Sequence, residues 1–253
     1  MFKKFTLGSL YIMAQNRSPL LKGIALPLIL YILLQLASYG SAYTGFLYGS
    51  ASSLLYILFF IADTAIVSII SINTTRIVLL GERPATFKLT FKNREIKYLL
   101  YSIGFLALWI IPSMVVGASL TLIVYNILMG VIPLTFFLAT LFFTLRLSLI
   151  FVGIAIDREI SLRESLSMTR NYQWSLFFSL SLLIALLFIF EYFIELLSSL
   201  FGSQLFSLIS FALATPVANT FLYVFTAIIL TILYSDAYQP TASPQEELPG
   251  DNQ

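Results

Sequence analysis

Four polar side chains inside apolar stretches are the residues whose types and depth could support chemistry. Asp63, in FFIADTAIV, is the one acid deep within a hydrophobic run, and Arg146, Gln35 and Asn219 are its candidate partners. Acids at mid-membrane are rare and mark proton or ion pathways, because an unpaired charge is costly in lipid. The sequence therefore predicts an intramembrane polar site around Asp63.

The depth of Asp63 leaves two interpretations open. If its helix enters the membrane near Ala51, Asp63 lies about 18 Å into the bilayer at about 1.5 Å per residue. Arg146 would lie about 29 Å along its own helix and would have to reach outward to meet the acid. Gln35 or Asn219 could hydrogen-bond the carboxyl instead. Asp63 then either locks helices together without a charge, or binds a proton or cation.

A second acidic pair lies in FIFEYFIELL, where Glu191 and Glu195 are one helical turn apart. If this helix enters near Trp174, Glu191 lies about 26 Å along it, just under the outer headgroups. The pair is then the acidic outer end of a helix. The alternative is an acidic rim at an outer vestibule, since like charges at this spacing repel and can share a proton or cation.

The composition excludes most enzyme chemistry. The chain has 253 residues, 59% of them hydrophobic and 10% charged, and contains neither cysteine nor histidine. Thiol nucleophiles, Cys/His zinc sites and histidine bases are therefore absent, and no nucleotide-binding G-x-x-x-x-G-K-[ST] loop occurs. The sequence predicts a protein that is not an enzyme and has no cofactor. A net charge of +2 gives no indication of a nucleic-acid partner.

Apolar segments of spanning length determine the fold class. A membrane-spanning helix needs about 20 predominantly apolar residues, and a mean hydropathy of +0.93 places the chain among membrane proteins. We predict an all-α, polytopic membrane protein with six transmembrane helices between residues 20 and 234. The segments are Leu20–Tyr39, Ala51–Asn73, Tyr98–Ser119, Ile127–Ile150, Ser175–Leu197 and Leu205–Tyr234.

The basic residues predict the orientation. All 14 lysines and arginines fall before or at the start of the first segment, in residues 74–97, or in residues 146–170. Cytoplasmic loops carry an excess of such residues. Both termini and the loops 74–97 and 151–174 are therefore predicted to be cytoplasmic, with the three uncharged links outside.

The two ends of the chain lie outside the spans. Residues 1–19 predict a short interfacial helix, with Phe2 and Phe5 facing lipid and Lys3 and Lys4 facing headgroups. A signal peptide, with Lys3 and Lys4 before a short apolar run, is the alternative. The polar, proline-containing residues 235–253 predict a disordered cytoplasmic tail.

The loop around residue 161 contains a helix-start signal. In SLRE, the Ser161 hydroxyl can accept an amide hydrogen from the first turn while Glu164 reaches back, which is a capping box. We predict a short interfacial helix through SLSMTRN with Leu162, Leu166 and Thr169 on one face. Its arginines, Arg163 and Arg170, are predicted to contact anionic headgroups.

The other cytoplasmic loop, residues 81–97, interleaves aromatic and apolar side chains with basic ones. An anionic membrane surface attracts each such cation by about 1 kcal/mol. Anionic lipid headgroups are therefore a predicted partner, and ordinary topology-setting charge is the other interpretation. The candidate contacts are Lys88, Lys92, Arg94 and Lys97.

A short internal repeat links the two cytoplasmic loops. TTRIVLL at residues 74–80 and TLRLSLI at residues 144–150 share the pattern T-x-R-[IL]-x-L-[LI], and each is followed by an acid beside an arginine. Both copies are predicted at the inner ends of inward-running helices. The pattern suggests a parallel repeat of a kind known in transporters, and chance similarity between apolar segments is the alternative.

Residues 146–183, RLSLIFVGIAIDREISLRESLSMTRNYQWSLFFSLSLL, resemble a block found in a diffuse bacterial group. The group includes YciC-like inner-membrane proteins and the membrane domain attached to some glycerophosphodiester phosphodiesterases. The matching features are Arg146 near the end of one span, Asp157, the ESL that begins at Glu164, and Trp174 opening the next span. The resemblance implies a six-helix, multi-pass protein of the bacterial inner (cytoplasmic) membrane, and carries over no catalytic residue.

Three function classes follow from these observations. The small number of polar groups in the spans favours a non-enzymatic integral membrane protein that organises lipid, or that supports or assembles other membrane proteins. The alternative is a small secondary transporter, channel or permease subunit that uses Asp63. A membrane-embedded enzyme is the third class and lacks a paired-carboxylate motif. Other membrane subunits or a second copy of the chain are further candidate partners.

Overall fold

A computed structural model describes residues 1–43, 52–83, 92–120, 128–201 and 204–238, and every regular element in these ranges is an α-helix. Residues 235–238 of the predicted disordered tail are helical, and the rest of the tail lies outside the described residues. The helices are α1 (Phe2–Gln15), α2 (Arg17–Tyr43), α3 (Ser52–Leu80), α4 (Asn93–Leu120), α5 (Leu128–Leu147), α6 (Leu149–Ala155), α7 (Leu162–Thr169), α8 (Gln173–Phe201) and α9 (Gln204–Tyr238).

The prediction of six helices able to cross a membrane is confirmed. Helices are the stable form for such apolar runs, because each backbone amide is then bonded within its own segment. α5 and α6 together form the fourth span. In order, the spans are Arg17–Ser41, Leu54–Leu80, Asn93–Val115, Val131–Ala155, Gln173–Leu197 and Phe211–Tyr238.

All six spans continue beyond their predicted inner ends, including the two that contain the T-x-R pattern. The second was predicted to end at Asn73 and runs to Leu80, and the fourth was predicted to end at Ile150 and runs to Ala155. Arg76 therefore lies inside α3, and Arg146, in the last turn of α5, lies within a span that continues through α6. Arginine permits this because its long side chain can carry the charge to partners further along the bundle.

The centre of the bundle is formed by α2, α3 and α9, each of which contacts the other two. α9 also contacts α1, α6, α7 and α8, and most of its span is buried by protein. The α4 and α5 helices pack on each other at the periphery, where few residues of the α4 span are fully buried. The basic and acidic side chains joined by ion pairs lie together at one end of this bundle, which we call the charged end.

The prediction that Phe5 faces lipid was wrong. α1 packs against α8 and α9, and the Phe5 side chain is fully buried, with its ring 6.2 Å from that of Tyr172. Phe2 is exposed as predicted. The helix is also held by an ion pair between Lys4 and Asp236 at 2.7 Å. Phe5 is therefore buried against other helices of the protein, and the sequence around residue 5 does not reveal this contact.

The helix predicted after Ser161 is present. The Ser161 hydroxyl accepts the Glu164 amide at 3.1 Å and caps α7. Thr169 of the predicted face is buried, together with Ser165, whereas Leu162 is exposed. Hydroxyls are buried here because both donate to the backbone carbonyl of Arg146, at 2.8 and 3.2 Å.

The turn after α6 has strict backbone requirements. A Cβ on Gly153 would lie 2.7 Å from the carbonyl oxygen of Arg158 and 2.7 Å from the Ile160 side chain. Asp157 has a φ of 58°, in the left-handed region that only a few residue types adopt readily. This tight turn sets the positions of Asp157, Arg158 and Glu159 at the charged end.

Candidate functional site

Asp63 lies in a polar cluster that three helices form in the middle of the bundle. Gln35 on α2 donates a hydrogen bond from Nε2 to Asp63 Oδ1 at 3.1 Å. The buried Tyr31, one turn before Gln35, has Asp63, Asn219 and Tyr223 as its hydrogen-bonding and electrostatic neighbours. Of the predicted partners, the structure therefore brings Gln35 and Asn219 into this cluster.

The predicted pairing of Asp63 with Arg146 does not form. Arg146 donates from Nη2 to the Leu166 carbonyl at 2.7 Å, near the end of α7. A cation there also complements the negative end of the α7 dipole. Within the described ranges, no basic side chain is within ion-pair distance of Asp63. Asp63 thus has neutral partners, and Arg146 holds α7 against α5.

An ion-pair network crosses the charged end. Arg76 on α3 donates from Nη1 to Asp157 Oδ2 at 2.9 Å, and Arg94 on α4 donates from Nη1 to the same oxygen at 3.0 Å. Each arginine has a second acid close to it in sequence, Glu82 for Arg76 and Glu95 for Arg94. Asp157 is therefore the carboxylate that joins α3, α4 and the turn after α6.

The network also shows how the two T-x-R segments are related. The acids that follow the two copies, Glu82 and Asp157, both bind Arg76 of the first copy. Arg146 of the second copy binds a backbone carbonyl. The two copies therefore occupy different environments.

Hydrogen bonds from Arg76 hold the pKa of Glu82 below its usual range. The Arg76–Glu82 pair therefore stabilises the fold at pH values above the usual pKa of a glutamate. This contribution is lost as the pH falls through the lowered pKa.

A half-open cavity of about 220 Å³ lies between α3, α4, α5, α6 and α9, next to this network. Several hydroxyl residues border it, but its walls are almost entirely apolar. One reason is that Thr144 and Ser148 donate to the carbonyls of Thr140 and Leu145 within their own helical segment. Such a cavity favours a hydrocarbon occupant over a polar one.

A second pocket, also of about 220 Å³, opens at the charged end between α4 and the turn after α6. Along α4, its residue Lys97 directly precedes Tyr98, which borders the cavity. Along α6, its residue Ile154 lies about one turn from Phe151, which also borders the cavity. The Tyr98 and Phe151 rings are 4.9 Å apart. A charged pocket and an apolar cavity thus follow one another along the α4/α6 seam.

The residues predicted to bind anionic headgroups differ in their availability. Arg94 is largely enclosed and paired with two acids, and Lys97 pairs with Glu159 at 3.3 Å. Lys88 lies outside the described residues. The side chains of Lys92, Arg163 and Arg170 are exposed. Arg94 and Lys97 of α4 are therefore paired with acids of the protein, and a count of basic residues alone does not reveal this pairing.

Glu191 and Glu195 lie toward the other end of the bundle. Glu191 is half-buried, with Tyr39 of α2 as an electrostatic neighbour, and Glu195 is exposed. Both belong to a helix that continues to Phe201. The acidic rim stays a prediction.

Sequence reasoning missed Tyr31 and Tyr223, and it did not predict the partners of Asp157. A signal for the first two was present, because Tyr31 and Gln35 on α2, and Asn219 and Tyr223 on α9, are each four residues apart and so share a helix face. Asp157 was noted in the repeat, but its two arginine partners are 81 and 63 residues away in the chain. Nothing local indicates such a contact.

Comparison of the chain with protein-family models, curated proteins and solved structures gave no match. The resemblance of residues 146–183 to the YciC-like group therefore stays a prediction. The function must be argued from the site itself.

Proposed function

We propose that this multi-pass membrane protein is a non-enzymatic phospholipid-binding protein that organises lipid of the inner leaflet of the bacterial inner membrane. The main support for this proposal is the apolar cavity on the α4/α6 seam, with the charged pocket directly beyond it at the charged end. The positive-inside rule assigns this end to the cytoplasm. A phospholipid of that leaflet would then have its headgroup at the charged pocket and its acyl chains at the apolar cavity.

The dimensions of the seam suit one leaflet of a bilayer. From Arg94 in the pocket to Phe105 at the cavity, α4 rises about 16 Å at about 1.5 Å per residue, which is close to half of a hydrocarbon core about 30 Å thick. A lipid headgroup and its upper acyl chain span this distance. The Phe105 and Phe151 rings, 4.8 Å apart, provide an apolar surface at the deep end.

The size of the cavity favours part of an acyl chain over an enclosed solute. Sites that enclose a whole drug-sized ligand are roughly 300 to 1,000 Å³, and this cavity is about 220 Å³ and half open. A polar solute would have to leave its water for apolar walls without compensating hydrogen bonds, which is unfavourable. Lipid binding is therefore the better fit.

Filling the cavity tests this function. Ser102 on α4 borders the cavity, so Ser102→Phe should place a ring in the space for the acyl chain. We expect native mass spectrometry of the full chain to show a retained phospholipid in the wild type and loss of most of it in Ser102→Phe. Ser113→Phe, on an exposed position of the same helix, is the matched control and should retain the lipid.

Thermal stability in detergent, measured for both variants, separates loss of the lipid from loss of the fold. If Ser102→Phe is folded and binds as much lipid as the control, the cavity is not the site. A wild-type protein that retains no phospholipid contradicts the proposed function itself.

A second candidate function, a small secondary transporter or channel, is supported by Asp63. A charged carboxylate at mid-membrane with only neutral partners is costly, and a bound proton or cation would remove that cost. A carboxyl group that binds a proton while it is shielded from water, and releases the proton when water reaches it, suits proton coupling. The same cluster also suits a lock between α2, α3 and α9, which is the role that the lipid-binding function assigns to it.

Asp63→Asn distinguishes these roles. The asparagine carbonyl can still accept from Gln35, so we expect a folded protein with unchanged lipid retention. Asp63→Leu should destabilise the bundle by about 1 to 3 kcal/mol, because it removes the acceptor for Gln35 and Tyr31. The measurements are thermal unfolding in detergent and proton uptake into proteoliposomes. Proton uptake by the wild type that Asp63→Asn abolishes would support the transporter instead.

A further inference from the structure

The charged pocket contains both signs of charge in a small space. Its residues include Asn93, Arg94 and Lys97 from the start of α4, and Asp157, Arg158 and Glu159 from the turn after α6. A site for a simple anion would be dominated by cations. Here two carboxylates lie beside three basic groups within one pocket of about 220 Å³.

The pocket's charges differ in how far they are already engaged. Arg94 is 16% exposed and bonded to Glu95 and Asp157. Arg158 donates to the Tyr234 hydroxyl at 2.9 Å, and its guanidinium lies 3.9 Å from the centre of the Tyr238 ring. These two arginines are therefore committed to the fold.

Lys97 and Glu159 are the available pair. Their side chains are 60% and 93% exposed, and their charged atoms are 3.3 Å apart. Exposed ion pairs contribute little to stability. A ligand that offers an anion to Lys97 and a cation to Glu159 can therefore replace this pair at little cost.

The charge balance within the ion-pair network around the pocket does not favour an anionic ligand. The ion pairs around the pocket join four basic residues, Arg76, Arg94, Lys97 and Arg158, to five acids, Glu82, Glu95, Asp157, Glu159 and Glu164. A lipid with a net negative charge would meet as much repulsion as attraction there. A headgroup with one negative and one positive group matches both sides of the exposed pair.

We propose that the charged pocket selects a zwitterionic phospholipid of the phosphoethanolamine class, with the phosphate on Lys97 and the primary ammonium on Glu159. This inference rests on the proposed function and names the lipid that the seam takes. It differs from the anionic lipid that the basic residues alone predict, because acids accompany those residues in the fold.

The chemistry of the cation distinguishes ethanolamine from choline. A primary ammonium has three N–H donors that carboxylates can accept, as a lysine does. A quaternary ammonium has none and is recognised by aromatic faces. No aromatic side chain is among the described residues that line the pocket, and the nearby Tyr238 ring is occupied by Arg158. The pocket thus fits a primary amine.

Competition between three lipids tests the inference. Full-length protein in detergent is given an equimolar mixture of dioleoyl phosphatidylethanolamine, phosphatidylcholine and phosphatidylglycerol, and bound lipid is counted by native mass spectrometry. We expect about fivefold more bound phosphatidylethanolamine than either other lipid. This ratio corresponds to the free energy of one weak ion pair. Glu159→Gln should abolish the preference over phosphatidylglycerol, and Lys97→Gln should lower binding of all three about fivefold.

Glu195→Gln removes an exposed carboxylate from α8, outside the seam, and should leave the ratios unchanged. A preference for phosphatidylglycerol or phosphatidylcholine overturns the headgroup inference, as does a preference for phosphatidylethanolamine that survives Glu159→Gln. Equal binding of the three lipids, with loss in Ser102→Phe, overturns the headgroup inference and leaves the lipid-binding function standing. Retention of none of them by the wild type overturns both.

Discussion

Gly153→Ala is expected to destabilise the protein by about 1 to 3 kcal/mol, the usual cost of adding a methylene to a packed site. The new Cβ would lie 2.7 Å from the Arg158 carbonyl oxygen, which is backbone and cannot rotate away. The turn that carries Asp157 and Glu159 would have to shift. We therefore expect a lower midpoint of thermal unfolding in detergent, and weaker phospholipid retention by the fraction that stays folded.

Gly104→Ala is the matched control, because it lies within α4 and a Cβ there meets nothing within 4 Å. Alanine is a better helix former than glycine by up to about 1 kcal/mol. The control should be neutral or slightly stabilising. Equal midpoints for the two variants would show that the turn after α6 relaxes freely, and that its tight packing does not position the pocket.

Asp157→Ala is expected to lower stability by about 1 to 3 kcal/mol, the range for hydrogen bonds to charged groups, discounted because the Asp157 side chain is 57% exposed. Arg76 and Arg94 would each keep one acid close in sequence, Glu82 and Glu95. The stability is therefore lost because Asp157 no longer connects α3, α4 and the turn after α6. Alanine also adds strain at a φ of 58°.

Two further substitutions at this position separate strain from charge. Asp157→Gly relieves the left-handed strain but removes both ion pairs, whereas Asp157→Asn tolerates the conformation and keeps one acceptor oxygen. The midpoints of thermal unfolding should fall in the order wild type, asparagine, glycine, alanine. An alanine variant as stable as the wild type would mean that the network contributes nothing measurable.

The sequence determined the features that depend on local composition. Six apolar runs of spanning length produce six helices, because lipid offers no partner to an unbonded backbone amide. Ser161 caps α7 as predicted, because this contact joins residues only three positions apart. Asp63 was also identifiable, since an acid within an apolar run is conspicuous whatever surrounds it.

The tertiary structure decided which partner each polar group found. Gln35 rather than Arg146 bonds Asp63, because packing brings α2 beside α3 while the Arg146 side chain binds the end of α7. Phe5 is buried rather than facing lipid because α8 and α9 supply a surface for α1. Asp157 joins two arginines distant in the chain, and the apolar cavity exists only where five helices meet. These contacts depend on how the helices pack together, and the periodicity of a single helix carries no record of that arrangement.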